Sequence, residues 1–136
     1  MKGGPKKAKP LDLILGPLPT EQINRALGLE LEHGNVILSA GAQKHAQRRH
    51  PEDYARCQPH VAAVAIDPLY VGNDFINDGK IELVSRVVAL GGGMLVAVCI
   101  EPDEAGNYAV TSFYPVSEKK IENRRQANHL VPLPRK

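Results

Sequence analysis

The densest group of residues that could do chemistry is a basic cluster between positions 44 and 56. It consists of Lys44, His45, Arg48, Arg49, His50 and Arg56. On a helix, His45 and Arg49 lie one turn apart on the same face, and His50 could point back beside them. Two imidazoles beside guanidinium groups suit phosphodiester cleavage without a metal. One takes a proton from a 2′-hydroxyl, the other protonates the leaving 5′-oxygen, and the cations stabilise the developing phosphate charge. The alternative is a solvated basic helix face, as most charge runs are.

A second candidate group lies near the end of the chain, at Thr111, Ser112, Phe113 and Tyr114. On a strand, alternation places Thr111 and Phe113 on one face and Ser112 and Tyr114 on the other. One face could offer hydroxyls to a phosphate, although Thr, Phe and Tyr are common in strands for other reasons. A basic stripe follows this group and could follow a nucleic-acid backbone or simply solvate a helix. It consists of Lys119, Lys120, Arg124 and Arg125.

The basic cluster is predicted to lie on two helices that meet at a kink. Ser39 is a good N-cap for a helix over 40–49. The helix must end at His50, because the residue before a proline avoids the helical region. Pro51 then suits the first position of a second helix that runs to about Cys57. Other segments with helical or strand signals are a helix over 20–27, a strand hairpin over 29–31 and 36–38, and a helix over 60–66.

After residue 68 the apolar pattern changes to the spacing of strands. The sequence predicts strands over 81–90, 94–100 and 108–114, joined by short turns, and a charged helix over 116–127. Sequential strands with short connections form an antiparallel meander. We therefore expect an α+β fold in which N-terminal helices pack on a three- to four-stranded antiparallel sheet, followed by a C-terminal helix.

Length and composition restrict the class of protein further. The chain has 136 residues, of which 43% are hydrophobic and 24% are charged, as in a single globular domain. It has no apolar run long enough to span a bilayer and no signal peptide. Cys57 and Cys99 have neither disulfide-scaffold nor metal-site spacing, so we expect buried thiols and no metal or cofactor. We divide the chain into a flexible basic arm (1–18), a domain (19–128) and a proline-rich tail (129–136).

The net charge of +2 hides a strong polarity along the chain. Residues 1–10 carry +4, residues 42–56 carry +2 and residues 119–136 carry +5, whereas residues 57–118 carry −6. Separated charge of this kind can form a positive surface on a nearly neutral protein. The basic segments are therefore the places where a nucleic-acid backbone would bind.

Five short motifs in this order resemble the phage-associated branch of the Barnase–EndoU–colicin–RelE (BECR) nuclease fold. They are Val36–Ser39, Lys44–His45, Arg49–Pro51, Ile66–Pro68 and Val110–Pro115. The resemblance covers roughly residues 20–125. It implies a metal-independent ribonuclease with helices packed on a four-stranded antiparallel sheet. Such domains occur in phage proteins and in the tips of bacterial toxins, where a cognate immunity protein usually accompanies them.

Carried over residue by residue, the resemblance favours His45 and His50 as the acid–base pair. Thr111 or Ser112, together with Tyr114, would orient or stabilise the phosphate. Binding of RNA would fall to Lys44, Arg48, Arg49, Ser112, Lys119 and Lys120. The expected reaction is 2′-hydroxyl attack to give a 2′,3′-cyclic phosphate, with tRNA as a candidate target, because several relatives in the fold cut tRNA. The site of action would be the cytoplasm, reached directly or by delivery within a larger toxin or phage protein.

Two other functions stay open from the residues alone. One is a non-catalytic RNA-binding or phage structural module, in which the basic cluster binds RNA without cleaving it. The other is a small α+β transferase that acts on nucleotides.

Overall fold

The computed structural model describes residues 11–74 and 79–134. The two helices of the basic cluster are α2 (Ala40–Arg49) and α3 (Pro51–Cys57). Ser39 caps α2, because its hydroxyl accepts a hydrogen bond from the Ala42 N–H at 3.1 Å. His50 leaves the helical region, with φ of −143° and ψ of 71°, and Pro51 begins α3. The predicted kink at His50 is confirmed.

The N-terminal part differs from the prediction. Leu13–Pro17 forms β1, although these residues were assigned to the flexible arm, and residues 1–10 lie outside the described residues. After α1 (Thr20–Leu27), β1 pairs antiparallel with β2 (Asn35–Leu38). The predicted strand over 36–38 is confirmed as β2, whereas residues 29–31 form no strand, so the predicted hairpin is wrong. The side chain of Asn24 holds the Leu31 backbone instead, through hydrogen bonds of 2.8 and 3.0 Å to its N–H and C=O.

The predicted meander is confirmed. It consists of β4 (Lys80–Val87), β5 (Gly92–Cys99) and β6 (Tyr108–Val116), each antiparallel to the next. The sheet, however, has seven strands in the order β1-β2-β6-β5-β4-β3-β7, not three to four. Four strands add to the meander: β1 and β2 beside β6, and β3 (Tyr70–Asn73) and β7 (Val131–Pro132) beside β4. β3 and β7 pair with each other. β7 gives part of the proline-rich tail a place in the sheet.

The sheet is also mixed rather than purely antiparallel. β2 runs parallel to β6 and pairs with it only at Tyr108 and Ala109. β2 then ends at Leu38, and the chain turns into α2. Beyond Ala109, the edge of β6 that faces β2 has no neighbouring strand among the described residues. Pro115 is tolerated in this strand because an open edge needs no backbone N–H.

Helices cover both faces of the sheet. On one face, α1, α3 and α4 (Val61–Ile66) bury apolar side chains such as Ile23 and Val64 against Val96 and Val98. On the other face, α5 (Glu118–Gln126) buries Ile121 against Leu95. The predicted C-terminal helix is therefore present, and the α+β class is confirmed. The helical layer on the first face positions the candidate site.

Candidate active site

A cavity of about 450 Å³ lies between the α2–α3 pair and β6. The helices contribute His45, Arg49, His50, Asp53 and Tyr54 to its lining. The strand contributes Thr111, Ser112, Phe113, Tyr114 and Pro115. The cavity lies along the part of β6 that β2 leaves uncovered. The fold therefore brings the histidines of the basic cluster and the hydroxyl-rich strand to one place.

The kink between α2 and α3 determines which side chains face the cavity. His45 and Arg49 lie one turn apart on α2, and Asp53 and Tyr54 lie in the first turn and a half of α3. The Tyr54 ring contacts the Phe113 ring at a centroid distance of 6.0 Å and a tilt of 44°. Phe113 is buried, so this contact attaches α3 to the floor of the cavity.

The ionisable groups of the cavity are not committed to partners within the protein. Among the described residues, His45, Arg49, His50 and Asp53 make no side-chain hydrogen bond or ion pair. Some charges elsewhere are paired: Arg86, for example, donates to Glu118 from Nε at 2.9 Å and from Nη2 at 2.6 Å. The cavity groups are thus free to bind a ligand.

The side chains that line the cavity differ in exposure, which distinguishes its mouth from its deeper part. His45, Arg49 and His50 are exposed, Asp53 and Tyr54 are half-buried, and Phe113 is buried. The mouth is therefore cationic, whereas the deeper part is aromatic with one carboxylate. A phosphate suits the mouth, because exposed guanidinium and imidazole groups are the donors that bind it.

Two of the three predicted hydroxyl residues on β6, Thr111 and Tyr114, already have contacts within the protein. Thr111 lies at a β-bulge, and its hydroxyl donates to the Ala97 carbonyl at 3.3 Å. The Tyr114 ring packs on the opposite face of the sheet, 5.9 Å from the Lys120 ammonium. Burial raises the pKa of Tyr114, and Glu82 raises it further, while Arg124 lowers it. Its hydroxyl therefore lies in the environment of Glu82 and Arg124, under α5. Ser112 is exposed and makes no side-chain hydrogen bond among the described residues.

The remaining predicted RNA-binding residues are not part of the cavity lining. Lys44 and Arg48 are exposed on α2. Lys119 and Lys120 lie on α5, across the sheet from the histidines. The predicted basic residues are therefore divided between the two faces of the sheet.

Two lining residues, Asp53 and Tyr54, were not predicted as site residues. Both lie within four positions of His50 on a predicted helix. Helical spacing places residues three and four apart on one face, so this signal was present in the sequence.

A family model described as phage-Barnase-EndoU-ColicinE5/D-RelE like nuclease 3 matches residues 14–123. This range includes all of α2, α3 and β6, and therefore both walls of the cavity. The chain belongs to this nuclease family. The resemblance noted in the sequence is confirmed, and family membership identifies the chain as a nuclease-type protein whose substrate class is nucleic acid. No curated protein and no solved structure matches the chain.

Three further observations concern metal ligands, membrane-spanning helices and the cysteines. Within residues 11–74 and 79–134, no three His, Cys, Asp or Glu side chains are grouped so that they could hold a metal ion. No helix in those ranges is long and apolar enough to cross a membrane. Both cysteines are free. Cys57 is buried as predicted, with a thiol pKa raised mainly by burial, whereas Cys99 is only half-buried.

Proposed function

We propose that the protein is a metal-independent endoribonuclease in which His45 and His50 act as the acid–base pair. The observation that supports this most is the shared cavity, where both imidazoles and Arg49 lie without partners among the described residues. One histidine would accept the proton of the attacking 2′-hydroxyl, and the other would donate a proton to the leaving 5′-oxygen. The products are a 2′,3′-cyclic phosphate and a 5′-hydroxyl.

Arg49 would stabilise the charge that grows on the phosphate oxygens, because its side chain shares the mouth of the cavity with the histidines. We assign Ser112 no contact with that phosphate, because it pairs with Ala97 and alternation places its side chain on the same face of the sheet as Tyr114. Thr111 would help to fix the strand rather than move a proton, because its hydroxyl is bound to Ala97. We assign Tyr114 no proton transfer, because its ring packs on the face of the sheet opposite the histidines. Lys44 and Arg48 would attract the flanking backbone.

We further propose structured RNA such as tRNA as the target, in the cytoplasm. A cognate immunity protein is the proposed partner if the chain acts as a toxin.

A non-catalytic RNA-binding module is the second candidate, and one observation favours it. Neither His45 nor His50 has a hydrogen-bonding residue that orients its ring, at least within the described residues. Catalytic bases are usually oriented by a third group. In such a module the same cationic mouth would bind RNA and leave it intact.

The deciding experiment is cleavage of end-labelled RNA in EDTA by the wild type, His45→Ala and His50→Ala. We expect each variant to lose roughly 10²–10⁴-fold in rate. His33→Ala is the matched control, because His33 is also exposed but does not line the cavity. Full activity in both site variants would refute the assigned roles. Salt-sensitive RNA binding without cleavage by the wild type would instead support the binding module.

A further inference from the structure

The aromatic side chain of Tyr54 is placed to receive a flat ligand. Its ring contacts the Phe113 ring in a tilted arrangement, and the residue is half-buried in the cavity lining. Among the described residues, its hydroxyl makes no hydrogen bond. Because the Tyr54 ring already contacts Phe113, it loses little conformational freedom when a nucleobase stacks on it.

Phosphate binding alone does not explain the presence of the neighbouring Asp53 in the cavity. Its carboxylate would repel a phosphate, yet it lines the same cavity as Arg49 and the two histidines and pairs with none of them. A carboxylate accepts hydrogen bonds from N–H groups. The Watson–Crick edge of a nucleobase presents such groups, and only an unpaired base has that edge free.

The size and direction of the cavity fit one nucleotide. A volume of about 450 Å³ lies within the range of roughly 300–1,000 Å³ that is typical of small-ligand pockets. With the phosphate at the cationic mouth, the base would extend toward Tyr54 and Asp53. A base inside a duplex could not reach that depth without leaving its stack.

We propose that Tyr54 and Asp53 form a nucleobase subsite, so that cleavage requires one unpaired nucleotide, in a single strand or in a loop of a structured RNA, to enter the cavity. Tyr54 supplies stacking to any base, and Asp53 distinguishes bases by the donors on their edges. This inference rests on the proposed ribonuclease function, since it places the base next to the phosphate that the histidines attack.

Binding can be tested separately from cleavage. A 2′-O-methyl oligonucleotide lacks the nucleophilic hydroxyl, so its fluorescence anisotropy reports binding alone. We expect Tyr54→Leu to bind the single strand about 10-fold more weakly than the wild type, within the usual range for loss of base stacking. Tyr54→Phe keeps the ring and should recover most of that loss. A duplex of the same sequence should bind more weakly than the single strand.

Asp53→Asn tests the specificity part. We expect it to change the order of affinity among oligonucleotides of the four bases, whereas Tyr54→Leu weakens all four similarly. Equal binding of single strand and duplex, or unchanged binding by a folded Tyr54→Leu variant, would overturn the subsite. If the wild type binds as proposed but does not cleave natural RNA, the ribonuclease mechanism fails while the subsite stands. If it cleaves paired and unpaired positions of RNA equally, the nucleobase subsite fails while the ribonuclease mechanism stands.

Discussion

The ion pair between Glu82 and Arg124 provides the sharpest test of how this fold is stabilised. Glu82 lies on β4 and Arg124 on α5, and a direct hydrogen bond joins them between the sheet and the helix. The Glu82 side chain is 12% exposed and that of Arg124 is 25% exposed. Burial raises the pKa of Glu82 in spite of Arg124, which lowers it. Arg124 therefore favours the charged form of a carboxylate that burial disfavours.

Replacing Arg124 with Met leaves that carboxylate without its partner. Removal of one member of a buried pair costs about 3–5 kcal/mol, and the partial exposure of Arg124 reduces our expectation to about 2–3 kcal/mol. Unfolding entropy of about 2.1 cal/mol/K per residue gives about 0.29 kcal/mol/K for 136 residues. The expected loss in Tm at pH 7 is then about 7–10 °C.

The sign of the pH dependence follows from the raised pKa of Glu82. Because the pKa of Glu82 is raised in the folded protein, protonation of Glu82 favours the folded state. The stability gained from this protonation is present below the unfolded pKa and is lost as the pH rises through the folded pKa. More of the Glu82 carboxyl is protonated at pH 4 than at pH 7, so Arg124 has less carboxylate to stabilise at the lower pH. The cost of Arg124→Met should therefore be much smaller at pH 4 than at pH 7.

Thermal unfolding followed by circular dichroism at both pH values provides the measurement. Arg125→Met is the control, because Arg125 is the next residue on α5 and its pair with Glu122 is exposed, so it should cost less than about 1 kcal/mol. The double variant Glu82→Leu/Arg124→Met should recover most of the loss, since it leaves no unpaired buried charge. An equal Tm loss at pH 4 and pH 7 would refute the reasoning.

Two further predictions concern the backbone and the thiols. Gly41→Ala on α2 meets no close atom and should stabilise the protein by about 0.5 kcal/mol. In contrast, a Cβ at Gly72 would clash with the His129 carbonyl oxygen, so Gly72→Ala should cost roughly 2–4 kcal/mol in urea unfolding; similar stability of the two variants would contradict this. Cys99 should react with a thiol reagent before Cys57, because burial raises the pKa of the Cys57 thiol; simultaneous labelling of the folded protein would be the contrary result.

The elements that sequence reasoning found are those with local signals. Ser39 and Pro51 mark helix ends through chemistry that involves only neighbouring residues. The meander could be predicted because its strands are consecutive and their turns are short. The strand over 36–38 was also predicted from its apolar residues and corresponds to β2, but its pairing with β1 was not. β1 and β7 have five and two residues and pair with segments distant in the sequence, so nothing in their own composition shows that they are strands.

The candidate site was predictable to a similar extent. The helical side follows from the spacing of His45, Arg49 and His50, and the structure brings them to one cavity. The strand side was predicted less well, because the bulge at Thr111 interrupts the two-residue period of β6. The environment of Tyr114 depends on α5, whose packing across the sheet no local pattern reveals.

The position of β6 between β2 and β5 also has a consequence for synthesis of the protein. During translation, α2 and α3 emerge well before β6, so a nascent chain has one wall of the cavity and lacks the other. The parallel contact between β2 and β6 joins segments that are distant in sequence, and such contacts form late in folding. A chain interrupted before β6 therefore has no cavity. The proposed activity would begin only after release of that strand from the ribosome, which would spare the RNA of the translating machinery until then.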